Sequence, residues 1–248
     1  MGWVEDLFDD PVYDLEYAKV LEDEDRTTRE ADFIAREVGL SAEHEVLDLA
    51  CGHGRHALVI AKRVSRVVGY DRTERFLEHA RKRASESGVA NVEFIVGDMR
   101  ELAYESQFDA AYNFFTAWGY YSDEENFDVL VRVARALKPG GRFLLDMINR
   151  DALVRRFQSR DWQELEDGTI VLYEHWLDFA TGRVHSKRTY LRPSGRKTVE
   201  LDHRVPAPEE LMRLFAEAGF AETRLVSFPD GGALTMDSRR LAVIGTKP

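Results

Sequence analysis

The fold of this chain is decided by residues 46–57, the stretch Val46-Leu47-Asp48-Leu49-Ala50-Cys51-Gly52-His53-Gly54-Arg55-His56-Ala57. Its apolar start predicts a β-strand, and the two glycines predict a tight loop before a helix. Glycine has no Cβ, so the backbone of such a loop can approach a ligand closely. The free N–H groups of the helix point back at the loop and favour an anionic or polar ligand. The stretch therefore predicts a nucleotide-binding turn.

Two kinds of nucleotide fit these glycines. The pattern Gly52-x-Gly54-x-x-Ala57 matches the dinucleotide fingerprint, with Asp71 about twenty residues on to hold a ribose. Asp48 opposes a dinucleotide, because a carboxylate just before the glycines would repel a pyrophosphate. The same carboxylate attracts an ammonium or a sulfonium, and S-adenosylmethionine carries both. We therefore favour S-adenosylmethionine and keep a dinucleotide as the alternative.

Composition narrows the class of protein. A chain of 248 residues is long enough for one α/β domain with an insertion, or for two small domains. The formal net charge of -11 disfavours a nucleic-acid substrate and favours a small molecule. The single Cys51 forbids an internal disulfide and fits a reducing cytoplasm. The acidic N-terminus lacks the features of a signal peptide, and no apolar run approaches the ~20 residues of a membrane span. We expect a soluble, cytoplasmic protein that binds no membrane.

The periodicity of apolar residues from residue 45 onward predicts a parallel sheet. Helical spacing is already clear in the segments 11–24 and 27–38. Short apolar strands then alternate with amphipathic helices, which is typical of βαβ units. The predicted strands are 45–49, 66–70, 92–96, 108–113 and 141–147, and the predicted helices are 55–64, 73–87 and 124–137. Pro139-Gly140-Gly141 is expected to break the chain before the fifth strand.

The pattern changes after the fifth strand. Residues 162–205 alternate with a period of two, which predicts roughly three or four antiparallel strands joined by tight turns. A helix is then expected from Pro208 to Ala218, followed by strands near 221–228 and 240–246. No linker separates the antiparallel segment, so we interpret it as an insertion packed on the main domain.

The order of these features resembles the class I S-adenosylmethionine-dependent methyltransferases over essentially the whole chain. The matching segments are the loop 48–54, Val67-Val68-Gly69-Tyr70-Asp71, Val96-Gly97-Asp98-Met99, residues 108–113 and Leu137-Lys138-Pro139-Gly140-Gly141-Arg142-Phe143. The resemblance implies an α/β fold with a Rossmann-like seven-stranded sheet of order 3-2-1-4-5-7-6. Strand 7 would be antiparallel, and the antiparallel β insertion would follow strand 5.

The closest segments are similar to small-molecule N- and O-methyltransferases of the glycine N-methyltransferase type. This implies N-terminal helices over residues 1–44 that cover the cofactor site. The core would comprise residues 45–160 and 207–248. Residues 161–206 would form the insertion, which serves either as a roof over the substrate or as a dimer surface.

The resemblance also implies a set of cofactor-binding residues. Asp71 would hold the ribose, Asp98 would meet the adenine amino group, and Arg26 would pair with the methionyl carboxylate. An arginine suits that last role because its planar fork binds a carboxylate bidentately. The full expected set is Arg26, Asp48, Ala50, Gly52, Gly54, Asp71, Arg72, Asp98, Met99 and Asn113.

The substrate pocket is expected among aromatic residues near the strand ends. Its candidates are Tyr13, Tyr17, Phe115, Trp118, Tyr121 and His175. We name no catalytic base, because a neutral amine needs none. We also expect no metal site, since His53 and His56 have no acidic or thiol partner at a convincing spacing.

Together these residues predict an enzyme, an S-adenosylmethionine-dependent methyltransferase, that moves a methyl group to a nitrogen or oxygen of a small molecule by in-line displacement. A protein methyltransferase and a non-catalytic S-adenosylmethionine-binding subunit stay open as alternatives, and an NAD-dependent oxidoreductase is a weaker one. A homodimer is compatible with the sequence, and a nucleic-acid partner is not expected.

Overall fold

The computed structural model describes residues 2–248 and begins with three helices. They are α1 (Trp3–Phe8), α2 (Val12–Leu21) and α3 (Glu24–Val38). The carboxylate of Asp23 caps α3 by accepting a hydrogen bond from the Arg26 amide at 2.8 Å. Gly39 ends α3 in the left-handed conformation with a φ of 69°. The two predicted N-terminal helices are confirmed, whereas α1 was not predicted.

The elements of the core follow the predicted alternation. In chain order they are β1 (Glu45–Leu49), α4 (Arg55–Ile60), β2 (Arg66–Asp71), α5 (Glu74–Glu86), β3 (Val92–Val96), β4 (Phe108–Asn113), α6 (Asp123–Ala136), β5 (Leu137–Ile148) and α7 (Arg150–Arg155). The insertion contains β6 (Arg160–Glu164), β7 (Ile170–Asp178), β8 (Arg183–Arg192) and β9 (Gly195–Arg204). The chain closes with α8 (Pro208–Glu217), β10 (Ala221–Ser227) and β11 (Arg240–Thr246).

The main sheet has seven strands in the order β10-β11-β5-β4-β1-β2-β3. Because the insertion contributes β6 to β9, β10 and β11 are the sixth and seventh strands of the core. The expected order 3-2-1-4-5-7-6 is therefore confirmed. The seventh strand runs antiparallel to β5, as expected, and β1, β2, β3, β4 and β5 pair in parallel. The insertion forms a separate antiparallel sheet of four strands in the order β6-β7-β8-β9.

The boundary of β5 differs from the prediction. We expected Pro139-Gly140-Gly141 to interrupt the chain, but β5 begins at Leu137 and runs through it. Gly140 adopts a φ of 79°, and its amide donates to the Lys247 carbonyl at 2.8 Å. A glycine tolerates that φ without strain, so the segment stays within the strand instead of ending it. The short helix α7 was also not predicted.

Three apolar clusters hold these layers together. Two of them lie on opposite faces of the seven-stranded sheet, around Leu47 and Phe143 on one face and around Val46 and Leu144 on the other. The third packs α1 and α2 against the inner face of the four-stranded sheet, with Tyr190 fully buried at its centre. The insertion thus supports the N-terminal helices. No helix in residues 2–248 has the length and apolarity that crossing a bilayer requires.

Candidate cofactor-binding site

A pocket opens at the carboxyl ends of β1, β2 and β4. Strand β1 pairs with β2 on one side and with β4 on the other, so the strand order reverses at β1. Ligands of open α/β sheets bind at such a switch point. Val4, Phe8, Tyr13 and Leu21 from the N-terminal helices line the opposite wall. The pocket is therefore enclosed between the sheet and these helices.

Side-chain pairs fix the N-terminal helices over the pocket. Glu5 of α1 pairs with Arg72 at the end of β2, and Asp14 of α2 pairs with Arg75 of α5. The imidazole Nε2 of His53 lies 3.1 Å from Asp14 Oδ1, which connects α2 to the glycine loop. The helices are thus attached to both sides of the pocket rim.

Asp71 lies at the end of β2 and faces the pocket with 8% exposure. Its Oδ2 accepts a hydrogen bond from the Gly52 amide, and its Oδ1 accepts one from the Thr73 amide, both at 2.8 Å. Burial raises the pKa of this carboxyl, and the two amides offset part of the increase. A carboxylate oxygen can accept two hydrogen bonds, so each oxygen can still accept from a ligand hydroxyl.

Asp48 lies next to Asp71 near the end of β1 and is 2% exposed. Within residues 2–248 its Oδ2 is buried without a hydrogen-bond partner. Burial raises its pKa to about 7, and the negative charge of Asp71 adds to that increase. A buried carboxylate oxygen without a partner is costly, and a cationic ligand would compensate it.

The glycine loop brings its backbone to the ligand at Gly52 and packs internally at Gly54. Ala50, Cys51 and Gly52 line the pocket, and Gly52 has a φ of 53°. A Cβ on Gly54 would lie 2.7 Å from the Phe94 ring, so this position serves the contact of α4 with β3. The structure shows this packing role for Gly54, and the cofactor contact expected from the sequence stays a prediction.

A second group of pocket residues lies beyond the end of β2. Tyr70, Arg72, Gly97, Met99 and Tyr121 line this part of the pocket. A Cβ on Gly97 would lie only 2.0 Å from the Tyr70 hydroxyl oxygen, so glycine leaves the space that the tyrosine occupies. This part of the pocket is flat, aromatic and partly apolar, which suits an adenine ring.

The carboxylate of Asp98 is occupied within the protein. It accepts from the Arg100 amide at 2.9 Å and from Arg100 Nη2 at 2.7 Å, and the guanidinium lies 4.0 Å from the centre of the Tyr121 ring. Burial alone would raise the pKa of Asp98, but its bonds to Arg100 lower it. Asp98 therefore stays charged and holds Arg100 against Tyr121.

Arginine and glutamate side chains from α3 and α4 form a buried charged cluster beside the pocket. Glu30 is 1% exposed and accepts from Arg26 Nε at 2.8 Å and from His56 Nε2 at 2.9 Å. Arg55 pairs with the same carboxylate and donates from Nη1 to Thr27 Oγ1 at 3.1 Å. Burial would raise the pKa of Glu30, but its bonds to His56, Arg55 and Arg26 hold it at about 2.

Arg26 and Arg55 differ in what they offer a ligand. The sequence assigned the cofactor carboxylate to Arg26, whose Nε is bound to Glu30. Arg55 lines the pocket, and its Nη2 is buried with no hydrogen-bond partner in the described residues. Sequence reasoning missed Arg55, although its position directly after Gly54 was a usable signal. The structure thus brings a second arginine to the pocket, with a donor still free.

Asn113 ends β4 and joins the two central strands. Its Nδ2 donates to the Leu49 carbonyl at 3.0 Å, which bridges β4 and β1 at the point where they diverge. Its Oδ1 is buried without a partner in residues 2–248. Asn113 is not among the residues that line the pocket, and the cofactor contact expected for it stays a prediction.

The candidate substrate residues separate into two groups. Tyr13, Phe115 and Tyr121 line the pocket, and Tyr17 lies directly behind it with its ring 5.9 Å from Phe115. Tyr120 lines the pocket as well and was not among the predicted residues.

The other two candidates lie elsewhere. Trp118 is 2% exposed in the core, where its indole donates to the Asn126 carbonyl at 2.9 Å. His175 lies on the four-stranded sheet, where its Nδ1 is bonded to Ser186 Oγ. Pairing inside the protein thus takes both away from the pocket, and no residue of 160–206 is among those that line it. The insertion also reaches the pocket wall from behind, because the ring centre of His203 lies 6.4 Å from that of Tyr120.

Phe115 is held in an unusual conformation at the pocket wall. Phe115 and Thr116 have φ values of 77° and 60°, which are strained for residues with a Cβ. The Phe115 amide donates to Asp146 Oδ2 at 2.8 Å, and this bond fixes the turn. The guanidinium carbons of Arg26, Arg55 and Arg240 lie 5.7, 5.6 and 5.5 Å from the ring centre. Three guanidinium groups therefore surround the ring, and each is paired with the carboxylate of Glu30 or Asp146.

The site can be compared with known proteins. Residues 46–141 match the family described as a methyltransferase domain. The uncharacterized methyltransferase YcgJ of Bacillus subtilis is 38% identical over 105 residues, which are 42% of this chain and 40% of that protein.

Two solved structures share the whole fold. One is a S-adenosylmethionine-dependent methyltransferase from Clostridium acetobutylicum, with a TM-score of 0.79, 17% identity and coverage of 93% of this chain and 96% of that one. The other is CalS10 from Micromonospora echinaspora, an amino pentose methyltransferase, with a TM-score of 0.67, 23% identity and coverage of 96% and 98%. Residues 46–141 therefore match the methyltransferase domain family, and the chain as a whole shares the fold of these S-adenosylmethionine-dependent methyltransferase structures.

Proposed function

We propose that this chain, as an S-adenosylmethionine-dependent methyltransferase, transfers a methyl group to an amine nitrogen of a small molecule. The observation that carries the proposal is the pair of buried carboxylates at adjacent strand ends. Asp48 has an oxygen free for a cation, and both oxygens of Asp71 can accept from a pair of hydroxyls. S-adenosylmethionine combines a cationic methionyl part with a ribose diol, so its two ends match the two carboxylates.

The remaining groups fit the rest of that cofactor. Tyr70, Met99 and Tyr121 offer a flat surface for the adenine. Arg55 lines the same pocket as Asp48, and its free Nη2 can donate to a methionyl carboxylate. The bound cofactor supplies a methyl group that its sulfonium has already made electrophilic. The protein has to orient the acceptor, exclude water and keep the acceptor's nucleophilic atom unprotonated.

An amine is favoured over a hydroxyl because the bases of the pocket wall already have other roles or are weak. Asp48 and Asp71 are assigned to the cofactor, and His53 is paired with Asp14. Burial raises the pKa values of Tyr13 and Tyr120, so both phenols stay protonated near neutral pH. Burial and the charge of Arg55 lower the pKa of His56 to about 4, and this imidazole is bonded to Glu30. A neutral amine attacks without losing a proton first, whereas an alcohol needs a base.

The charge and composition of the chain support a small-molecule acceptor and a cytoplasmic location of the protein. A net charge of -11 supports a small molecule over a nucleic acid. The amino pentose methyltransferase that shares the fold makes amino sugars reasonable first substrates to test. The single cysteine supports a cytoplasmic location.

Calorimetric titration tests the cofactor. We expect S-adenosylmethionine and S-adenosylhomocysteine to bind and NAD to give no heat. Asp71→Ala should weaken S-adenosylmethionine binding by about 1–3 kcal/mol, since buried hydrogen bonds to the ribose are lost. Asp128→Ala, which removes a half-exposed carboxylate on α6, is the control and should leave the affinity unchanged. Binding of NAD alone would contradict the proposal, and release of S-adenosylhomocysteine with an amine panel would identify the acceptor.

The two arginines can be separated by a second titration. We expect Arg55→Lys to weaken S-adenosylmethionine binding by about tenfold or more, because the lysine lacks the free Nη2 of a planar fork. Arg26→Lys should change the affinity by less than about threefold, because Arg26 Nε is already bound to Glu30. Methylthioadenosine, which has no carboxylate, should bind Arg55→Lys and the wild type equally well. If Arg55→Lys weakens the binding of S-adenosylmethionine and of methylthioadenosine equally, Arg55 does not hold the methionyl carboxylate.

A further inference from the structure

Strand β6 is an edge of the four-stranded sheet and leaves half of its backbone groups unpaired. It pairs with β7 on one side, and within residues 2–248 no strand pairs with its other side. The Ser159 carbonyl accepts from the His175 amide, and the Leu165 amide donates to the Thr169 carbonyl, both at 2.8 Å. Antiparallel pairing alternates, so the odd-numbered residues bond to β7. The N–H and C=O groups of Arg160, Trp162 and Glu164 therefore face the open edge.

This edge carries a large exposed aromatic side chain. Trp162 is 62% exposed, and Leu172, its partner on β7, is 40% exposed on the same face. An open edge with exposed apolar residues is a template for pairing with another chain. Natural edges are usually protected, and here the protection is slight. Among the described residues the Trp162 amide alone is covered, by the carboxylate of Asp161 at 2.8 Å.

The sequence of β6 is complementary to itself. The strand reads Arg160-Asp161-Trp162-Gln163-Glu164, with Trp162 at its centre. If two copies pair antiparallel about a two-fold axis at Trp162, Arg160 of each chain lies opposite Glu164 of the other. The two tryptophans then face each other, and Asp161 lies opposite Gln163. Opposite charges and aromatic pairs that face each other across strands stabilise a sheet.

The direction of the free backbone groups agrees with this register. A two-fold axis at Trp162 makes the even-numbered residues the hydrogen-bonded pairs, and these are the residues whose N–H and C=O groups face outward. A register that sets even-numbered residues opposite odd-numbered ones would place inward-facing backbone groups at the junction. The backbone thus permits this register, and the pairing of Arg160 with Glu164 favours it.

We propose that β6 pairs with β6 of a second copy of this chain and forms a continuous eight-stranded sheet across a two-fold axis. In this dimer the Trp162 amide exchanges its bond to Asp161 for a bond to the carbonyl of the opposite Trp162. The exposed edge and both tryptophans become covered. The proposal concerns assembly and does not depend on the reaction that the pocket performs.

The mass of the chain in solution is the first test. Sedimentation equilibrium of the wild type should give a species of twice the 28.5 kDa chain mass. Reversing either charge, by Arg160→Glu or Glu164→Arg, places like charges opposite each other at both ends of the junction. We expect each single variant to weaken dimerisation by about tenfold or more. Both residues are exposed, so circular dichroism should show unchanged folding.

Two combinations make the test specific for this register. The double variant with both reversals restores the two ion pairs and should dimerise like the wild type. An equimolar mixture of the two single variants should form a heterodimer, because two acidic positions then face two basic ones. Arg160 also lies 3.7 Å from Glu174 of its own chain, whereas the Glu164→Arg change leaves that pair intact. A monomeric wild type, or a dimer that neither single reversal weakens, would overturn the proposal.

Discussion

Asp48→Asn should make the protein more stable at about pH 8, by on the order of 2–4 kcal/mol. The wild-type carboxyl has a pKa of about 7 in the folded protein, against 3.8 as the ordinary value. The folded state therefore disfavours the charged form, and unfolding relieves that cost. Asparagine has the same shape without the charge, and its amide oxygen can accept from the Tyr112 hydroxyl, which interacts with the carboxylate in the wild type.

The pH dependence of this effect has a definite sign. A carboxyl whose pKa is raised by folding contributes stability below its unfolded value, and that contribution is lost as the pH rises through the folded value. The wild type should lose stability between about pH 4 and about pH 7 through this group. The Asn variant should lack that loss, so the two proteins should converge toward about pH 4. Urea unfolding at several pH values measures the difference.

Asp109→Asn is the matched control. Asp109 begins the neighbouring strand β4 and accepts from the Glu45 amide and from Lys138 Nζ, both at 2.8 Å. Burial would raise its pKa, but the Lys138 bond lowers it, which is the opposite net direction to Asp48. Its replacement should destabilise the protein by about 1 kcal/mol. If Asp48→Asn also destabilises the protein at about pH 8, burial of the charged Asp48 carboxylate does not cost the folded state the expected free energy.

The same substitution should weaken cofactor binding. Loss of a charged partner for a cationic ligand in a buried site corresponds to about 1.5–3 kcal/mol, or about ten- to a hundredfold in affinity. A cation also favours the ionised form of Asp48, so wild-type affinity should fall as the pH drops below about 7. The variant should lose this dependence. A more stable protein that binds its ligand more weakly is the signature of a carboxylate kept for function.

Much of the fold was predictable because each core strand is a short apolar run that ends in a polar or glycine-rich loop. Asp71 could be placed at the pocket from the sequence, because the carboxyl end of a parallel strand faces the crevice. In the structure Asp71 lines the pocket. The strand order followed from the resemblance, and the observed sheet confirms it.

The side-chain partners that decide the wall of the pocket were not predictable. Trp118 follows β4 as expected, yet the Asn126 carbonyl holds its indole in the core. Asn113 also ends a strand, but the Leu49 carbonyl takes its amide. A sequence gives the position of a polar group along a strand, whereas its partner comes from a different part of the chain. The prediction for Arg26 stays open for the same reason, since Glu30 competes for its guanidinium.

The cluster around Glu30 left one signal in the sequence. Thr27, Glu30, Ala31 and Ile34 are spaced so that they share one face of α3, and the structure buries all four. A glutamate on an apolar helical face needs charged or hydrogen-bonding partners. Two of those partners, Arg55 and His56, lie on α4, about 25 residues away along the chain, so periodicity could indicate the need but not these two residues.

Glu30→Gln should destabilise the protein by about 3–5 kcal/mol at neutral pH, because it leaves a buried guanidinium without its counter-charge. Arg55 is 6% exposed and cannot reach solvent to compensate. Glu78→Gln, which changes an exposed glutamate within α5, is the control and should alter stability by less than about 0.5 kcal/mol.

The effect of Glu30 also has a direction in pH. Folding lowers the pKa of its carboxyl to about 2, from an ordinary value of 4.5. Its stabilising contribution is therefore complete above about pH 4.5 and is lost as the pH falls toward about 2. Urea unfolding should show a difference between wild type and Glu30→Gln that is constant from about pH 7 to about pH 5 and shrinks below about pH 4. A difference that stays constant through the acid range would mean that packing of the side chain, and not its charge, stabilises this cluster.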